Sequence, residues 1–165
     1  MMHKLLSNSE PLLPGDFVLT HGDTLLDRLT QIATHSQWNH AALITDISGE
    51  LVEATAKGLR TGSLESYNSN RFLVRITDFT SADRVRMVNY AKMMLGLHES
   101  YGILTIISIV FKILTHSRLV VTLDKTLICS QFVANCLFIG GYPWTRDTTL
   151  ITPADLFNTF VKVSK

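Results

Sequence analysis

Between Phe17 and Ile76 the chain is a series of short apolar runs cut apart by turn residues. This pattern restricts the fold more than any other feature of the sequence. The runs are Phe17-Val18-Leu19-Thr20, His40 to Thr45, Leu51 to Ala54, Leu59 to Leu64 and Phe72 to Ile76. Turn chemistry separates them at Pro14-Gly15-Asp16, Asp46 to Gly49 and Lys57-Gly58. Runs of this length joined by tight turns read as strands of an antiparallel meander.

Beyond Ile76 the period becomes helical. Ser81 and Asp83 open a helix that reaches about Leu95 and stops at Gly96. Tyr101 to Leu114 reads as a core helix, and Leu119-Val120-Val121 as a short extended piece. Thr126 to Phe138 is a helix carrying both cysteines, ended by Gly140-Gly141. Thr152 at N-cap and Pro153 at N1 start the last helix. One earlier helix is expected over Thr24 to Ala33, capped by Asp23, with Leu25, Leu26, Leu29 and Ile32 on one stripe. Strands early and helices late make an α+β domain over residues 14–162, preceded by an N-terminal extension over 1–13.

The 165 residues suffice for one core without staples. Hydrophobic residues make up 46% and charged residues 18%, which excludes a disordered chain. A net charge of +1 gives no basic excess for capture of nucleic acid. The most apolar run, Tyr101 to Leu114, contains Lys112 and falls short of the roughly 20 residues a membrane span requires. Peripheral membrane contact through that run stays open. Residues 1–10 lack the apolar stretch of a secretory signal, so a cytoplasmic location is expected. Cys129 and Cys136 lie seven positions apart on one helix, about 10 Å along its axis. That is too far for a disulfide, so both read as free thiols.

Cys129 falls in the first turn of its helix. Helix N-termini favour a thiolate, and an amide there can face a developing oxyanion. The alternative is a buried structural thiol. Cys136 is mid-helix beside Phe132 and Val133 and reads as core. His40 opens a strand after Trp38 and Asn39, where a general base would be held by backbone yet face a cleft. Taken alone, it reads equally as a half-exposed strand histidine.

Glu53 gives His40 a partner. A hairpin turning at Ile47-Ser48 places Asp46 opposite Gly49 and Ala42 opposite Glu53. His40 is then the diagonal neighbour of Glu53 on the same face, with Cβ atoms about 7–8 Å apart. Together the three residues form a Cys–His–Glu constellation, in which the acid orients the imidazole and the imidazole activates the thiol. A solvent-facing strand glutamate is the competing reading of Glu53. His21, Asp23 and His35 lack the spacing of a metal site, so no metal or other cofactor is expected. His3, His98 and His116 read as surface residues.

Three segments occur in an order that carries a resemblance. They are Pro14-Gly15-Asp16-Phe17-Val18-Leu19; Trp38-Asn39-His40-Ala41-Ala42-Leu43-Ile44 with Glu53 after the turn; and Cys129-Ser130-Gln131-Phe132-Val133 with Thr152-Pro153-Ala154-Asp155-Leu156 downstream. From Pro14 to Leu156 the chain resembles the permuted papain-like amidases and acyltransferases, the circularly permuted branch of the NlpC-type cysteine hydrolases. Its histidine precedes its cysteine, as permutation requires. Asn39 stands where the family often has Ser or Thr, and Gln131 where it often has Glu.

The resemblance implies a permuted papain-like fold: a meander or barrel-like sheet against helices, with the cysteine at a helix N-terminus. It implies Cys129 as nucleophile, His40 as base, Glu53 as orienter and Tyr101 as a substrate or oxyanion contact, with a buried core tyrosine as the competing reading of Tyr101; Trp38, beside His40, is a further candidate substrate contact. The activity implied is a thiol peptidase-like hydrolysis or acyl transfer at an amide or ester, through an acyl-enzyme. Substrates of that class are peptides, peptidoglycan fragments and lipid-like acyl compounds. A catalytically silent binding module of the same fold is the alternative.

Overall fold

The structure, a computed structural model, describes residues 1–7, 9–21, 38, 40–55, 58–67, 71–97 and 129–161. Six strands form one sheet: β1 (His3–Leu5), β2 (Phe17–Thr20), β3 (His40–Ile44), β4 (Glu50–Thr55), β5 (Gly58–Ser63) and β6 (Arg71–Ile76). Three α-helices follow among the described residues: α1 (Ser81–Gly96), α2 (Cys129–Ile139) and α3 (Pro153–Phe160). The expected helices over Thr24 to Ala33 and Tyr101 to Leu114, and the extended piece at Leu119 to Val121, lie outside the described residues.

The strand order is β1-β6-β2-β3-β4-β5, and every neighbouring pair is antiparallel. Strands β2 to β5 are the expected meander. β6 departs from it by returning to pair with β2. The sheet is open, with β1 and β5 as its edges, so the barrel-like closure expected from the resemblance is corrected. The N-terminal segment also contributes to the domain. His3–Leu5 supply the edge strand on β6, and His3, expected at the surface, meets Phe160 edge-on at 5.3 Å.

The faces of the sheet explain its composition. One carries Phe17, Leu19, Ala41, Leu43, Val52, Ala54, Val74 and Ile76 against Met87 and Ala91 of α1, Phe132, Val133, Cys136 and Leu137 of α2, and Phe160 of α3. The other carries Val18, Ala42, Ile44, Leu51 and Leu73, covered by Leu64, Leu6, Leu12 and Tyr67. Burial on both faces makes β2 and β3 continuously apolar where a half-exposed strand would alternate.

Local chemistry sets the element ends. Thr80 caps α1 and Thr152 caps α3, each in a reciprocal capping box with the aspartate three residues on. In α1 Ser81 is the first helical residue, as expected, and Thr80 before it is the cap. At the start of β2, buried Asp16 accepts from Arg75 (2.6 and 2.9 Å) and Arg84 (3.1 Å), tying the Pro14-Gly15-Asp16 turn to β6 and α1. Among the described residues no helix is long and apolar enough to cross a membrane.

Candidate active site

The site starts with the hairpin between β3 and β4. Asp46 Oδ1 accepts from Ser48 N (2.9 Å), Ser48 Oγ (2.8 Å) and Glu50 N (2.9 Å). Gly49 takes a φ of 91°, which a glycine adopts without strain. Thr45 N then bonds Glu50 O at 2.8 Å, and the register closes as Ile44 opposite Leu51, Leu43 opposite Val52 and Ala42 opposite Glu53. This is the register that the turn chemistry predicts.

In that register His40 and Glu53 are diagonal neighbours, and their side chains meet. His40 Nε2 and Glu53 Oε2 are 2.5 Å apart. His40 is the first residue of β3, opposite Thr20, and so sits at the end of the sheet. Its side chain is only 19% exposed, less than the half-exposed position expected from its place in the sequence.

Glu53 is buried and surrounded by donors. Arg60, its cross-strand partner on β5, donates from Nε to Oε1 at 2.9 Å. Tyr67 donates its hydroxyl to Oε2. That hydroxyl also lies 3.0 Å from His40 Nε2, and the phenol ring stacks on the imidazole with centroids 5.8 Å apart and 28° between planes. Gly62 makes room for the carboxylate: a Cβ there would stand 3.1 Å from Glu53 Oε1.

Cys129 opens α2 with 6% of its surface exposed, and its side chain is hydrogen-bonded to His40. Glu53 and Tyr67 both meet the imidazole at Nε2. The next residue, Ser130, is fully buried and donates to Ile151 O at 2.7 Å, anchoring the first turn of α2 to the segment before α3. Gln131 donates to Thr149 O.

The electrostatics follow from these contacts. Burial works against charge on His40. Hydrogen bonds with Cys129 and Glu53, and electrostatic attraction from both, outweigh it and raise the imidazole to about 10. Burial likewise opposes ionisation of Glu53. The hydrogen bonds from His40 and Tyr67 and the cations His40 and Arg60 hold it down at about 2. Burial and the Glu53 carboxylate push the Tyr67 phenol upward, so it remains a donor. Cys136, fully buried, is pushed upward by burial. The site thus sets an imidazole of raised proton affinity against a carboxylate and beside a thiol side chain, the components of cysteine nucleophile chemistry.

Of the other expected site residues, Trp38 is 6% exposed and packs between Phe157 (5.2 Å, stacked) and Phe72 (4.8 Å). That leaves it little surface with which to touch a substrate. Tyr101 lies outside the described residues, as do Asp23 and His35. Among the described residues no cluster of three metal-ligating side chains occurs. Sequence reasoning did not find Tyr67 and Arg60. Arg60 was within reach, because carrying the register across the Lys57-Gly58 turn places it opposite Glu53. Tyr67 follows a short 3₁₀ turn at Leu64–Ser66, and no periodicity points to it. Comparison of the chain with protein-family models and with curated proteins returned no match.

Proposed function

We propose that the chain is a cysteine hydrolase or acyltransferase acting on an amide or ester through Cys129, His40 and Glu53. The observation that carries this reading is a single imidazole hydrogen-bonded both to Glu53 and to the Cys129 side chain. The histidine-before-cysteine order, on an antiparallel sheet packed against the cysteine helix, supports a permuted papain-like arrangement.

In this mechanism His40 holds the proton of Cys129 and the sulfur attacks the substrate carbonyl carbon, forming a tetrahedral oxyanion. The dipole at the N-terminal end of α2 favours negative charge there. The oxyanion collapses, the bond to the amine or alcohol breaks, and His40 protonates the leaving group. A thioester on Cys129 remains. Water, or a second nucleophile in a transfer reaction, attacks the thioester while His40 takes its proton, and the thiolate leaves. Glu53 keeps its charge throughout and stabilises the imidazolium, the task of the acid in such triads.

A p-nitrophenyl ester tests the reading. One equivalent of nitrophenol should appear in a burst, with the acyl mass on the Cys129 peptide. Cys129→Ala should abolish the adduct, and His40→Ala should slow its formation by about 10²-fold or more. A folded chain that gives neither burst nor adduct, and no thiol-probe labelling at Cys129, would instead be a binding module of this architecture.

A further inference from the structure

Tyr67 reaches both the acid and the base of this site. Three observations converge on it. Its hydroxyl donates to Glu53 Oε2. The same oxygen lies 3.0 Å from His40 Nε2, which carries a proton for Glu53 and can share it. Its ring lies almost parallel to the imidazole at 5.8 Å. The residue is itself fixed: its amide donates to Leu64 O at 3.2 Å, and its carbonyl accepts from Arg71 Nη1 at 2.9 Å.

The proton count makes the contact directional. The phenol has one proton, and it goes to the carboxylate. Its lone pairs are then left for the Nε2 proton. Glu53 is faced by His40 from β3, by Arg60 from β5 and by Tyr67 from the segment after β5; Cys129 from α2 joins through His40. Arg60 bonds only Oε1, and its side chain is 65% exposed. Tyr67 is therefore the neutral donor that fixes Oε2, the oxygen that meets the base.

We propose that Tyr67 is a positioning residue of this site. Its hydroxyl holds Glu53 Oε2 as an ionised acceptor and pins the imidazole plane, so that Nε2 keeps its proton and the ring keeps its place beside Cys129. This inference rests on the reading of Cys129, His40 and Glu53 as a catalytic set.

The test is Tyr67→Phe, which keeps the stacking ring and removes the hydroxyl. The Glu53 carboxyl is followed by NMR in protein carrying carboxyl-labelled glutamate and assigned by its loss in Glu53→Gln. Its titration midpoint should rise by about one unit in Tyr67→Phe, the effect of losing one hydrogen-bond donor. The iodoacetamide rate at Cys129 at pH 7 should fall several-fold. A Glu53 midpoint that matches the parent overturns the proposal, because loss of packing alone would not move it. If Tyr67→Phe does not fold, the unmodified chain answers. A Tyr67 hydroxyl proton protected from exchange, with a through-space contact to the His40 ring, supports the proposal; one that exchanges like a free phenol overturns it. Neither measurement needs turnover. A parent that forms no acyl adduct removes the hydrolase reading, and the Glu53 titration still decides the role of Tyr67.

Discussion

His40 and Glu53 meet as diagonal neighbours across the β3–β4 ladder, 2.5 Å apart at Nε2 and Oε2, because a four-residue turn fixes the register. A slip of one residue would carry Glu53 to the opposite face of the sheet, among Ala41, Leu43, Val52 and Ala54. The site therefore depends on Asp46 and Gly49 as well as on the residues that touch the sulfur.

The two thiols should separate in reactivity although both are nearly inaccessible, with 6% exposure at Cys129 and none at Cys136. Cys129 has His40 as proton partner, whereas Cys136 is pushed upward by burial alone. In the folded protein at pH 7, iodoacetamide should modify Cys129 at least about tenfold faster. Peptide mass mapping over time checks this, and equal rates would remove the special environment assigned to Cys129.

His40→Ala should be destabilising as well as inactivating. A half-exposed histidine, as expected from sequence, would contribute little to the fold. The observed side chain is four-fifths buried and leaves behind a buried carboxylate that loses a charged partner. The expected loss is about 1–3 kcal/mol in urea unfolding. An unchanged midpoint would mean that water replaces the imidazole at no cost.

Glycine substitutions should distinguish the site from the helix surface. A Cβ on Gly62 would stand 2.9 Å from Leu51 Cδ1 and 3.1 Å from Glu53 Oε1. Gly62→Ala should cost about 1–3 kcal/mol through overpacking and should also slow Cys129 alkylation by displacing the carboxylate. Gly96, at the end of α1, has nothing within 4 Å of such a Cβ. Gly96→Ala should be neutral or stabilising by up to about 1 kcal/mol. Denaturation curves for the two variants should diverge in sign; a destabilised Gly96→Ala with an unaffected Gly62→Ala would contradict the packing described.

Much of this arrangement is legible in sequence, and the illegible parts share a cause. Turn residues at Asp46 to Gly49 are local signals, so the His40–Glu53 contact follows from counting along two strands. The cap at Thr152 is local as well. Sheet closure is not, since it depends on whether distant edges pair, and here β1 and β5 do not. The strand His3–Leu5 is three residues long and too short to carry a period. Trp38, read as a substrate contact from its place beside His40, is drawn into the core by Phe72 and Phe157, which lie far from it in sequence. Tyr67 reaches the site through a turn whose direction no residue pattern encodes.

The ion pairs of the site should leave a signature in stability against pH. His40 is raised from its ordinary 6.5 to about 10. A raised base stabilises the fold fully below 6.5, and that contribution fades as pH climbs from 6.5 toward 10. Glu53 is lowered from 4.5 to about 2. A lowered acid stabilises fully above 4.5 and loses that contribution as pH falls from 4.5 toward 2. Both contributions are complete only between 4.5 and 6.5, so the stability the site adds should be greatest in that window. Urea unfolding across pH 3 to 10 measures it by comparing the parent with the double variant His40→Ala, Glu53→Gln. The difference between the two curves should form a plateau in the window and decline on both sides. The alkaline decline belongs to His40 and should vanish in His40→Ala alone. A difference curve that is flat with pH would show that neither group is shifted by folding and that the His40–Glu53 contact carries no charge.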